Sequence, residues 1–245
     1  MAVLKTEKCD SQPTILTGHE DPPPNYEELS TPTINSPTSV EGPDVALFNT
    51  KASNYVHIQR YLNGIQEAFF IDPTLRVPRA LLPSLKAGET DDTRRNLNLE
   101  ATMGPIDVDV TIVYKEPQSS ETQRRVILVV KNNLGPIKMR LHAADSPDRH
   151  PLYLRVCSQT GPMDISLPRS FVGVITIATG LGPVELSKHL SQFITPLSDA
   201  GKGRRRYFIG DLSTSPFNDD PKEWCGDEVL IESNLGPVHL KRDDE

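Results

Sequence analysis

The residues best able to do chemistry are few and scattered. Six histidines stand at positions 19, 57, 142, 150, 189 and 239, and only His142 and His150 are near one another, with Asp145 and Asp148 between them. Imidazole and carboxylate together make a divalent-metal ligand set, but this spacing matches no zinc pattern, so the expectation is no metal. Serine nucleophiles need a base and an orienting carboxylate; no Gly-x-Ser-x-Gly elbow occurs. Gly201-Lys202-Gly203 evokes a phosphate loop, but neither the spacing nor a following Ser or Thr is there. Cys157 falls on the polar side of an alternating segment with nothing beside it to make it reactive. Asp107, Asp109, Asp164 and Glu185 share one parity along their segments. They are the carboxylates that a carbohydrate-acting groove would need to gather. The expectation is a non-enzyme without a cofactor.

One motif points to a partner instead. Pro23-Pro24-Asn25-Tyr26 has the PPxY form taken by WW domains. Consecutive prolines hold a polyproline II helix already formed, so docking costs little entropy. The protein-binding residues expected from it are Pro23, Pro24 and Tyr26, in the manner of adaptors that recruit WW-containing ubiquitin ligases. Thr31-Pro32 and Ser36-Pro37 follow closely as proline-directed phosphorylation sites, although such pairs are common in any segment of this composition.

Residues 1–44 surround that motif with seven prolines and few large apolar side chains. Two lysines oppose eight carboxylates there, a net of −6 within the chain's −7. Such a segment cannot bury enough apolar surface to offset its conformational entropy and is expected to be a disordered tail. The remaining body, 45–242, is nearly neutral, which disfavours nucleic acid as a partner because phosphate binding needs a basic face. Lys202-Gly203-Arg204-Arg205-Arg206 is a local exception, read as a solvated loop before a strand at Tyr207–Ile209. No apolar run of signal-peptide or membrane-span length occurs. Asn-x-Ser/Thr sequons are absent, and the three cysteines (Cys9, Cys157, Cys225) form no disulfide or zinc spacing. These features set the expectation of a cytoplasmic protein.

The body is organised by a repeat. Five Gly-Pro pairs, Gly104-Pro105, Gly135-Pro136, Gly161-Pro162, Gly182-Pro183 and Gly236-Pro237, sit in equivalent contexts. Five and seven residues before each Gly stand Leu99, Val130, Val156, Ile177, Ile231 and Leu97, Leu128, Leu154, Ile175, Val229. Two and four residues after it stand Ile106, Ile137, Met163, Val184, Val238 and Val108, Met139, Ile165, Leu186, Leu240. Period-two alternation on both sides predicts two half-buried strands per unit. Buried parity is odd before Gly and even after it, so the pair is a turn or a bend, since a one-residue slip swaps faces. Two geometries satisfy this: a tight hairpin, or a corner where the chain bends into a second sheet. The long gap before Gly236 predicts a degenerate unit near Phe208-Ile209-Gly210-Asp211. Asn63-Gly64, between Tyr55–Ile58 and Ile65–Ile71, reads as a hairpin signal within a variant first unit. Ser187–Phe193 is the one short helix expected. Trp224 is expected to plug the end of the stack. An exposed final strand, guarded by the charges of Lys241 to Glu245, is expected at an edge.

The runs Phe70-Ile71-Asp72-Pro73-Thr74-Leu75, Arg95-Asn96-Leu97-Asn98-Leu99, Ile165-Ser166-Leu167-Pro168-Arg169-Ser170-Phe171-Val172-Gly173, Tyr207-Phe208-Ile209-Gly210-Asp211 and Trp224-Cys225-Gly226-Asp227-Glu228 resemble a family of uncharacterised fungal proteins. The resemblance covers about residues 50–242. The units are similar to those of adhesin-like β-solenoid domains, which carry Gly-Asp or Gly-Ser where Gly-Pro stands here. It implies an all-β fold, β-solenoid-like or a two-sheet sandwich, and supplies no active site. The leading expectation is therefore a non-enzymatic interaction protein whose tail recruits a WW-domain partner. The alternatives are an adhesin-like surface protein and a carbohydrate-acting enzyme on a solenoid face.

Overall fold

The computed structural model describes residues 51–85, 88–115, 124–199, 201, 203–212, 224 and 226–243. The tail and its PPxY motif lie outside the described residues, as do Cys9, Cys225 and Lys202. Among the described residues the regular secondary structure is almost wholly strand, arranged as two sheets of eight and six strands.

Each unit supplies one strand to each sheet. The units are β1 (Val56–Arg60) with β2 (Ile65–Ile71), β3 (Leu97–Met103) with β4 (Ile106–Ile112), and β5 (Val126–Leu134) with β6 (Ile137–Ala143). Then come β7 (Leu152–Thr160) with β8 (Met163–Leu167), and β9 (Gly173–Leu181) with β10 (Val184–Leu186). A hairpin, β11 (Ile194–Asp199) and β12 (Arg204–Ile209), precedes the last unit, β13 (Asp227–Leu235) with β14 (Val238–Arg242). The two strands of a unit do not pair with each other. β3 pairs in parallel with β1 and β5, while β4 pairs in parallel with β2 and β6. The Gly-Pro pair is thus a corner between sheets and not a hairpin tip.

The corner explains the glycine. Gly104, Gly135, Gly161, Gly236 and Gly182 all have positive φ, between 101° and 142°. They also stack directly. A Cβ on Gly161 would stand 2.3 Å from the Gly135 carbonyl oxygen, and one on Gly236 would stand 2.2 Å from that of Gly161. The backbone ladder runs through the bend without a break: Gly135 N donates to Thr160 O at 3.0 Å and Ile137 N to Pro162 O at 2.9 Å. Proline falls at the one position whose amide this ladder does not use. Asn132, buried at the inner side of the corner, donates to Gly104 O at 2.9 Å.

All ten inward side chains before the corner are buried, and eight of the ten after it; Val184 and Leu186 on the short edge strand β10 are half-buried. Each fully buried aliphatic contributes about 1.5–3 kcal/mol of transfer free energy. The core is the slab between the two inner faces.

Several expectations are corrected. The spatial order of units is not the chain order: β13 lies between β7 and β9, and β14 between β8 and β10. The last unit is inserted between the fourth and fifth. β14 is therefore flanked on both sides and is no edge strand. The edges are β1 and β11 in one sheet, β2 and β10 in the other. The segment around Phe208 is not a degenerate unit: β12 pairs antiparallel with both β9 and β11. Its Gly210 has positive φ but no Pro follows, and the strand returns along the same sheet. Arg204, Arg205 and Arg206 belong to that strand and not to a loop. Asn63-Gly64 is a corner, not a hairpin: β1 and β2 join different sheets, and Gly64 packs beneath the Pro105 carbonyl. The one short helix is a 3-10 turn at Leu190–Phe193, and a second such turn spans Arg79–Leu81.

Candidate functional site

The four outward carboxylates of β4, β8 and β10 do not gather into one cluster. Asp107 and Asp109 lie two residues apart on β4, so both point outward and both meet Arg140 of β6. Arg140 Nη2 is 3.2 Å from Asp107 Oδ1 and 2.7 Å from Asp109 Oδ2, and Nε adds a further bond to Asp109. His142 stands beyond, with Nε2 3.7 Å from Asp109 and Nδ1 2.6 Å from Asp243. Asp164 on β8 faces Lys241 of β14 at 3.5 Å, and Glu185 on β10 faces His239 of β14 at 3.1 Å. The outer face of this sheet alternates in sign by strand: acidic β4, basic β6, acidic β8, basic β14, acidic β10. Opposite charges directly across a ladder stabilise pairing and like charges oppose it. Arg140 holds the Asp109 carboxyl below the usual carboxylate range, the reverse of what a general acid needs.

On the eight-stranded sheet a shallow groove of about 570 Å³ crosses the outer face near the corners. Amides from Asn133, Gln159 and Asn234 line it together with Lys131, Arg155 and Glu232. Arg155 Nη2 donates to Glu232 Oε2 at 2.7 Å, and the Cys157 thiol donates to the same oxygen at 3.0 Å. Burial, helped by this carboxylate, pushes the Cys157 thiol up to about 11. Burial also raises Glu232, but the bonds from Cys157 and Arg155 outweigh it and the net direction is down. A protonated thiol and an ionised partner are an inert pair at neutral pH.

Trp224 does not plug the end of the stack, because its unit is inserted. Its indole lies over Gly226, its Nε1 donates to Asp227 O at 3.1 Å, and its ring meets Phe208 edge-on at 6.2 Å. Phe208 is opposite Val174 in the ladder, and both are buried outside the main core. They form a small apolar cap on the outer face. Nearby, buried Asp227 binds Arg149 through both oxygens and accepts from the amides of Leu152 at 2.9 Å and Val172 at 3.1 Å.

The feature that sequence parity missed lies at the corners. The residue before each Gly has inward parity, yet Met103, Leu134, Leu235 and Leu181 are 39%, 46%, 42% and 70% exposed. The chain has begun its bend there, so the side chain points past the core. The ladder places Met103 beside Leu134, Thr160 between Leu134 and Leu235, and Leu181 beside Leu235. With about 4.8 Å per strand, these side chains and the adjoining prolines form an apolar ridge interrupted at Thr160. The signal was visible as an apolar residue before Gly in four of five units.

Among the described residues no group of three or more His, Cys, Asp or Glu side chains is disposed to hold a metal, and His142 is engaged by carboxylates, not by His150. No helix among them is long and apolar enough to cross a membrane. Comparison with known families matches residues 54–245 to DUF7330, a domain of unknown function, and the chain belongs to that family. Comparison with curated proteins and with solved structures returns no match.

Proposed function

Within that family, we propose that this chain is a non-enzymatic interaction protein acting in the cytoplasm. The solenoid-like β body presents the apolar corner ridge to a protein partner, and Pro23-Pro24-Asn25-Tyr26 recruits a WW-domain protein such as a ubiquitin ligase. The observation that carries the reading is the ridge itself. Large apolar side chains clustered on an exposed surface mark interaction sites. Five of the described titratable groups support the non-enzymatic half. Asp72, Asp109 and Glu232 are moved down, and Cys157 and Tyr153 up. All five move away from the neutral range in which acid–base catalysts work.

The test is a pull-down from cell extract with three forms of the full chain: parent, Tyr26→Ala, and Leu134→Ser/Leu181→Ser/Leu235→Ser. The reading expects Tyr26→Ala to lose a WW-containing protein and keep the others. The triple variant is expected to lose a different partner and keep the WW protein. Identical partner sets from all three forms would overturn it.

A further inference from the structure

Beside the start of β1 lies a second concavity, separate from the ridge and the outer-face groove. It has a volume of about 600 Å³, within the range of small-molecule sites. Its charge is unlike that of the nearly neutral body: Arg76, Arg79, Arg94 and Arg124 face it, against Asp91 and Asp92. One wall is apolar, made by Leu75, Val77 and Leu82 with the Tyr55 ring beside them.

The cleft is built rather than incidental. Tyr55 has φ of 60°, the one positive value outside glycine among the described residues, and strained backbone collects at functional positions. Buried Asn54 holds it there. Its Oδ1 accepts from Tyr55 N at 2.9 Å, while its Nδ2 donates to Pro73 O at 3.3 Å and to Leu75 O at 3.1 Å. One side chain thus fixes both the strained residue and the apolar wall. Arg94 is only 10% exposed, lies 5.9 Å over the Tyr55 ring, and bonds Pro83 O and Asp91. Its buried Nε has no partner, an uncommon state for a guanidinium. Across the cleft, Arg124 stands 3.9 Å from Asp92, and its carbonyl lies 3.0 Å from His150 Nδ1.

We infer that this cleft binds a small amphiphilic organic anion, its oxyanion head on the arginines and its apolar body against Leu75, Val77 and Leu82. Guanidinium forks match phosphate and carboxylate oxygens. The Arg79–Asp91 contact of 3.4 Å is exposed on both sides; a pair of that kind adds little stability and exchanges readily for an incoming anion. The Tyr55 ring and the Pro73–Leu75 wall are set before the ligand arrives, which lowers the ordering entropy of binding.

The probe is 8-anilinonaphthalene-1-sulfonate, itself an amphiphilic anion, titrated into the full chain by fluorescence. Saturable binding is expected, with Kd raised at least tenfold by Arg76→Gln/Arg124→Gln at an unchanged melting temperature. Both residues are exposed, so the fold is expected to survive. Octyl phosphate or octanoate is expected to displace the dye well below the concentrations that octanol or inorganic phosphate require, and the better of the two identifies the head group. Absence of saturable binding, equal binding by the double variant, or displacement by octanol as effective as by octyl phosphate would each overturn the assignment.

Discussion

The guanidinium of Arg149 binds the carboxylate of Asp227 from 78 residues away in the chain, with Nη1 3.0 Å from Oδ1 and a second bond from Nη2 to Oδ2. Asp227 is 3% exposed, and Arg149 is nearly as buried. Because Asp227 also receives the Leu152 and Val172 amides, this one carboxylate joins the starts of three adjacent strands. Removing one partner of a buried pair leaves the other charge uncompensated, at about 3–5 kcal/mol. Asp227→Ala and Arg149→Met are each expected to lower the urea midpoint by that order. In the double variant the two losses should fall well short of additive.

The glycine stack makes a paired prediction. Gly161→Ala forces a Cβ to within 2.3 Å of backbone at a φ of 129° and should destabilise by about 3–5 kcal/mol. Gly88 also has positive φ, but nothing lies within 4 Å of its Cβ position. Gly88→Ala should therefore lose only about 1–2 kcal/mol, the left-handed backbone penalty alone. Thermal unfolding of the two variants compares them directly. Equal losses would mean that close stacking is not what demands glycine at the corner.

The alternating strand charges predict a swap. Lys241→Glu places like charge diagonally across from Asp164 and should lower stability by about 1 kcal/mol or less, given partial exposure. Adding Asp164→Lys should recover most of it. Both effects should shrink as salt is raised toward 1 M, read from urea midpoints at two ionic strengths.

Asp109 carries a pH consequence. Its folded pKa lies below the ordinary value of 3.8, chiefly through the hydrogen bond from Arg140. Between those values the unfolded chain binds more protons than the folded one, so the contribution is complete above the ordinary value. It is lost as pH falls through the folded one. Asp109→Asn should be somewhat less stable than the parent at pH 7 and converge with it as pH falls below the ordinary carboxylate range. Urea midpoints across that range test this.

Cys157, with its pKa about 11, should alkylate slowly with iodoacetamide at pH 8. Glu232→Gln should raise its rate several-fold while leaving it slower than an exposed thiol, because burial, the largest cause, remains. Peptide-resolved mass spectrometry separates this cysteine from Cys9 and Cys225.

The fold was largely legible in the sequence because parity is a strong signal. Val130, Leu141 and Ile231 alternate with polar neighbours, and the phase change at Gly-Pro already demanded a bend. The insertion of β13 was not legible. Parallel strands of matching pattern can dock in any order, and what selects this one is spread over distant residues: Asp227 with Arg149, and the basic strand β14 between two acidic ones. The hairpin at β11 and β12 was missed because its apolar pattern resembles half a unit. The cleft at Tyr55 was missed because Arg76, Arg94 and Arg124 are far apart in the chain and no spacing rule unites them. The ridge was missed because a corner residue keeps its parity while losing its burial.

The place of the last unit also constrains how the molecule can be made. β7–β8 and β9–β10 are synthesised well before β13–β14, yet the sides of both pairs that the last unit fills have no native neighbour until those later strands emerge. Until then two parallel edges stand open toward each other, with Asp164 and Glu185 disposed to repel if they close directly. Direct closure of β8 on β10 would set Asp164 against Glu185, a like-charge pair that costs about 1 kcal/mol or less at this exposure, so the order of docking is biased toward the last unit by charge as well as by shape.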